Sequence, residues 1–115
     1  EVHRPRLQAI YADYFASHDL AALVYPTTPI AGAPIGTQEK GALDGETVPS
    51  ITKFDRNVSP ASNAGIPSLS LPTGLTPAGL PVGMTLDAPE GNDAKLLAIG
   101  LAIEARETPL PAAPV

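Results

Sequence analysis

Cysteine is absent from this chain. Its absence excludes disulfides, thiolate metal sites and a cysteine nucleophile. Charge is scarce: 17% of residues are charged, only seven are Lys or Arg, and the net charge is −5. With no basic stripe or arginine cluster, the phosphate-backbone contacts of a nucleic-acid binder are not expected. Aromatic residues make up 4%. A free-standing domain has its whole surface to solvate, so this sparse decoration suits a piece covered by more protein. Long hydrophobic runs are missing too. Asn57 to Leu86 runs thirty residues without a charged side chain, but Pro60, Gly65, Pro67, Pro72, Gly74, Pro77, Gly79, Pro81 and Gly83 interrupt it. A bilayer helix needs ~20 apolar residues in a row, and proline breaks helices, so no membrane partner is expected. Short buried strands and tight turns explain the stretch better.

What is present is enough for one modest domain: 115 residues, 43% of them hydrophobic. No signal peptide precedes Glu1 and the first residue is not Met, so the chain is expected to be a fragment or a processed product. Residues 4 to 17 predict a helix, with Leu7, Ile10, Tyr11, Tyr14 and Phe15 on one apolar face, ended by Ser17-His18-Asp19. Leu20 to Tyr25 has the length of a buried strand and stops at Pro26. Residues 27–53 read as a long irregular loop, the kind that is usually functional.

Pro60 can open a short helix that ends at Gly65. Ser68 to Leu71 and Val82 to Leu86 read as strands joined by residues 75 to 80. In the second strand Val82, Met84 and Leu86 share one face while Gly83 and Thr85 share the other. Gly83 and Ser70 mark places where something packs close to the backbone. Glu90 to Glu107 predicts a helix capped by Asn92 or Asp93 and apolar over most of its circumference. A proline-rich tail, residues 108–115, follows. The order is helix, strand, long loop, short helix, strand, strand, helix, which predicts an α/β layer in a single partial domain, residues 1–115.

The candidate chemical motifs are weak. Ser50 and Lys53 fit the S-x-x-K pattern of serine-lysine hydrolases, but no K-T-G or S-D-N follows, and such four-residue patterns arise by chance. His3 and His18 lie outside metal-ligand spacing of each other, and His18 beside Asp19 reads as a solvated helix cap. No G-x-S-x-G elbow supports a triad through His18. Asp87, Glu90, Asn92 and Asp93 fail the calcium-loop spacing, and a turn with a helix cap explains them better. Lys53 to Arg56 can be a recognition cluster for a polar group or a surface ion pair on a loop. No metal site is expected.

An ordered set of motifs says more. Tyr25-Pro-Thr-Thr-Pro29 is followed by a long loop. Then come Ser62-Asn-Ala-Gly-Ile-Pro67, Leu71-Pro-Thr-Gly74, Gly79-Leu-Pro-Val-Gly83 and a helix ending in Ala102-Ile-Glu104. Over residues 20 to 105 this resembles the C-terminal third of the amidase signature family, most of all its indoleacetamide hydrolase and mandelamide hydrolase branch. The resemblance implies part of a mixed β-sheet covered by helices. It implies an amidase that cleaves a primary carboxamide through a Ser–cis-Ser–Lys triad, without metal or cofactor. In the family a glycine- and serine-rich loop supplies N–H groups to the oxyanion.

That loop and the triad lysine lie N-terminal to the region matched, and neither Lys40 nor Lys53 has the family's lysine context. No catalytic residue is therefore carried over to this chain, and the chain alone is expected to be inactive. The resemblance implies instead a wall for the substrate pocket, with Thr27, Thr28 and Ile30 on one side and Ser62 and Asn63 on the other. Local turn hydrogen bonds are the plainer role for Ser62 and Asn63. The expected partners are the rest of an amidase chain and a small amide, in the cytoplasm. Strands without neighbours predict a homo-oligomer for the isolated chain. A non-catalytic binding or scaffolding subunit is the alternative of another class, and a stand-alone Ser50/Lys53 hydrolase is a third.

Overall fold

The computed structural model describes residues 3–32, 41–43, 46–48 and 54–107. The Ser50/Lys53 pair, Lys40 and the 108–115 tail lie outside them. The elements are helix α1 (His3–Ser17), strands β1 (Leu23–Pro26), β2 (Gly41–Leu43) and β3 (Glu46–Val48), helix α2 (Ser59–Ala64), strands β4 (Ser68–Leu75) and β5 (Pro81–Asp87), and helix α3 (Asp93–Glu104). β1, β5 and β4 form an antiparallel sheet with β5 in the middle, and β2 and β3 pair with each other. The α/β order read from the sequence is present, with one addition. The irregular stretch 27–53 contains the β2–β3 pair.

β5 sets the architecture because its two faces differ. Leu86 pairs with Val24 and Leu69, and Met84 with Pro26 and Leu71, so these residues share one face. Helix α3 covers much of that face. Leu86, Ala88 and Leu96 are its buried centre, with Ala22, Leu69, Leu71, Met84, Ile99 and Ile103 packed around them. Fully burying a leucine such as Leu86 contributes ~1.5–3 kcal/mol. Gly100 brings the helix close, since a Cβ there would meet the Leu69 side chain. The other face of β5 presents Gly83, Thr85 and Asp87.

β4 runs further than its sequence predicts, from Ser68 to Leu75 through Pro72, with a break in register between Pro72 and Gly74. Proline cannot donate to a ladder, and an edge strand is where this is tolerated. The 76–80 connection closes with Gly79 at φ 79, its N–H donating to the Thr76 carbonyl. α3 starts later and stops earlier than the expected Glu90–Glu107. Gly91 at φ 78 shapes the turn before it, and the Asn92 side chain makes no capping bond although it occupies the N-cap.

α1 matches its expected span, but of its apolar stripe only Phe15 is buried. Its end is a left-handed cap. Asp19 has φ 50, its N–H donates to the Ala16 carbonyl, and the Leu20 N–H donates to the Phe15 carbonyl. α2 opens with Pro60 and ends at Gly65, φ 73, as its proline-first, glycine-last pattern predicts. Gln8 ties the two helices by donating from Nε2 to the Ala64 carbonyl at 2.8 Å.

Candidate functional site

A groove of about 540 Å³ opens where β1 runs into the segment after Pro26. Thr27, Thr28 and Ile30 line it together with Ser70, Pro72 and Gly83. The segment is held at several points. The Thr27 N–H donates to the Gly83 carbonyl at 3.0 Å, extending the β1–β5 ladder past Pro26. Asn57 Nδ2 donates to the Pro26 carbonyl at 2.7 Å, and Thr28 Oγ1 to the Ile30 carbonyl at 2.7 Å. Thr28 thus spends its hydroxyl proton on local backbone, while Thr27 turns toward the sheet.

There Thr27 joins a chain of hydroxyls. Thr85 Oγ1 donates to Thr27 Oγ1 at 2.9 Å, and Thr27 Oγ1 lies 2.9 Å from Ser70 Oγ. Thr85 is buried, Thr27 half-buried and Ser70 exposed, so the chain runs from the interior to solvent. Gly83 makes room for it. A Cβ at Gly83 would stand 3.1 Å from Thr27 Oγ1, 3.2 Å from the Leu71 carbonyl oxygen and 3.3 Å from Ser70 Oγ. The close packing expected at Gly83 and Ser70 is therefore packing against each other and against Thr27.

At the far end of the same sheet face, Asp87 is fully buried and Tyr25 donates its phenol proton to Asp87 Oδ2 at 2.6 Å. Asp87 Oδ1 is buried without a hydrogen-bond partner. Burial, then the bond to Asp87 and its charge, push the Tyr25 phenol well above its ordinary range. Burial and Asp87 raise Tyr11 as well. The grouping of Asp87 with Glu90, Asn92 and Asp93 is thus resolved into a tyrosine-bound carboxylate and a helix start. Among the described residues no cluster of His, Cys, Asp or Glu could hold a metal.

Ser62 and Asn63 sit elsewhere. They line a second depression of about 520 Å³ with His3, Arg4 and Leu7. Asn63 Nδ2 donates to Ser59 Oγ at 3.1 Å within α2. The described residues thus place the two halves of the expected wall on different depressions. His18 is exposed, bonded to Ser17 and the Tyr14 carbonyl and stacked on the Tyr14 ring, which is the helix-end role expected of it. Thr85, Tyr25 and Asp87 form a polar set that no sequence motif names; its one local signal is the alternation of Ser68 and Ser70 on β4, which pair with Asp87 and Thr85 on β5.

The described residues thus form a small α/β unit, a three-stranded antiparallel sheet with helices packed on it and a groove lined by hydroxyls and apolar side chains. The profile of the amidase family matches residues 1–97, and the chain belongs to that family. It is 50% identical over 101 residues to the indoleacetamide hydrolase of Agrobacterium vitis, a match that covers 88% of this chain and 22% of that protein. It is 39% identical over 105 residues to the mandelamide hydrolase of Pseudomonas putida, covering 88% of this chain and 19% of that protein. The crystal structure of an amidase superposes with a TM-score of 0.77 at 31% identity, covering 89% of this chain and 23% of the other. The chain thus spans about a fifth of the length of the relatives it matches. Among the described residues no helix is long and apolar enough to cross a membrane.

Proposed function

We propose that this chain is the C-terminal part of an amide hydrolase that converts a primary carboxamide to the acid and ammonia. The bond-breaking groups are a Ser–cis-Ser–Lys triad carried by sequence outside the chain. The observation that carries this reading is the 50% identity with an indoleacetamide hydrolase over nearly the whole chain. An aryl- or alkyl-acetamide is the proposed substrate class, with the protein acting in the cytoplasm. The groove beside Thr27, Thr28 and Ile30 is proposed to wall the acyl side of that substrate, since its lining is mostly apolar with a few placed hydroxyls. Ser62 and Asn63, on the second depression, are proposed as a further point of contact. The proposed partner is the remainder of the amidase chain.

Ammonia release from phenylacetamide and indole-3-acetamide tests the proposal. The longer gene product that includes this sequence is expected to release ammonia from at least one of them. The 115-residue chain alone is expected to release none. A longer product that folds but hydrolyses neither amide favours the scaffolding reading. Release by the short chain alone moves the chemistry inside it and returns attention to Ser50 and Lys53.

A further inference from the structure

Thr85 lies behind the groove and acts on it through one residue. It is 1% exposed, it does not line the groove, and its hydroxyl donates to Thr27 Oγ1 at 2.9 Å. Thr27 is the wall residue that follows β1, and β5 holds it twice. The Gly83 carbonyl accepts its N–H at 3.0 Å, and Thr85 bonds its side chain. Gly83 keeps that approach open, since a Cβ there would stand 3.1 Å from Thr27 Oγ1. A threonine has few χ1 wells, and a hydrogen bond selects among them. The bond from Thr85 therefore fixes where the Thr27 hydroxyl lies and, with it, where the Thr27 methyl lies. Without that bond a rotation about χ1 moves both groups, and the wall changes where it leaves the sheet.

We propose that Thr85 is a positioning residue for substrate binding: it makes no contact with the amide and sets the groove wall through the rotamer of Thr27. The proposal rests on the reading of this groove as the acyl-side wall and deepens it. Thr85 suits the role because β5 is paired on both sides, with Tyr25 and Ser70 opposite Thr85 in the two ladders. A donor on such a strand holds its acceptor more precisely than one on a loop. The next wall residue, Thr28, bonds within its own segment, to the Ile30 carbonyl, so Thr27 carries the segment's side-chain tie to β5.

The test is made on the longer amidase that contains this chain, with phenylacetamide and indole-3-acetamide as substrates. Thr85→Val keeps the shape and removes the hydroxyl. It is expected to raise KM by roughly 3- to 10-fold, the effect of one neutral hydrogen bond, and to leave kcat within about twofold. Thr85→Ser, which keeps the hydroxyl, is expected to restore most of the wild-type KM. Thr85→Ala is read in the same way, in case Thr85→Val does not fold. A wild-type KM in the folded Val or Ala variant overturns the proposal, even if the urea midpoint falls, because Thr85 is then purely structural. A fall in kcat at unchanged KM overturns it too, and so does a loss of folding in both variants or a Thr85→Ser that behaves like Thr85→Val. Ile30→Ala, on the groove itself, separates this inference from the reading beneath it. If Ile30→Ala raises KM and Thr85→Val does not, only the role of Thr85 falls. If neither raises KM, the groove is not the substrate wall and both fall. A folded wild type that hydrolyses neither amide removes the amidase reading, and the proposal with it.

Discussion

Tyr25 and Asp87 are the residues whose chemistry most exceeds their appearance in sequence. A carboxylate on the central strand is expensive to bury, and here the Tyr25 phenol supplies its hydrogen bond at 2.6 Å. Tyr25→Phe is expected to cost ~1.5–3 kcal/mol, the range for a hydrogen bond to a charged group, read as a lower urea midpoint. The same pair carries a pH signature. Burial and Asp87 raise the Tyr25 phenol above its ordinary 10.0, so the folded state favours the neutral phenol. That stabilisation is intact below about pH 10 and drains away as the pH rises beyond it. Between about pH 8 and about pH 11 the wild type is expected to lose more stability than Tyr25→Phe, in which this ionisation is absent. Equal losses in the two proteins would contradict the assignment. Neither residue is marked in sequence, because Tyr25 and Asp87 lie 62 positions apart and only strand pairing brings them together.

Elements were legible in sequence where a local rule names their ends. Pro60 and Gly65 bracket α2, and both bounds hold in the structure. The β2–β3 pair was legible in principle. An Asp44-Gly45 dipeptide, a strong hairpin signal, lies between the two strands in sequence, but the many glycines and prolines around it pointed to an irregular loop. The end of α1 is built on Asp19 in the left-handed region at φ 50. A side chain there carries strain that glycine does not. Asp19→Gly is therefore expected to stabilise the protein by roughly 0.5–1 kcal/mol, measured by chemical denaturation. Destabilisation would mean that the Asp19 side chain contributes more than its backbone costs.

At the scale of the whole molecule, the described surface is too apolar for a small domain. Leu97 and Leu101 are 57% and 66% exposed on the outer side of α3, and Ile10, Tyr14, Val24, Leu75 and Leu80 are exposed as well. Large apolar side chains exposed in such number favour association with more protein. The isolated 115-residue chain is expected to self-associate and to bind a hydrophobic dye, as seen by light scattering and fluorescence. The double change Leu97→Lys and Leu101→Lys is expected to weaken both signals. A monodisperse monomer that leaves the dye unbound would contradict this.

Sequence alone determined the family resemblance, the element order and the alternation of side chains along β5. These follow from periodicity, turn residues and ordered motifs, all of which act over a few residues. Tertiary structure decided the rest. Thr27, Ser70 and Thr85 become one chain of hydroxyls because β1 and β4 flank β5 in a fixed register. Thr27 and Ser62, expected on opposite sides of one pocket, line separate depressions among the described residues. Side chains tens of residues apart meet or separate according to how strands pair and helices pack, and no local pattern encodes that distance.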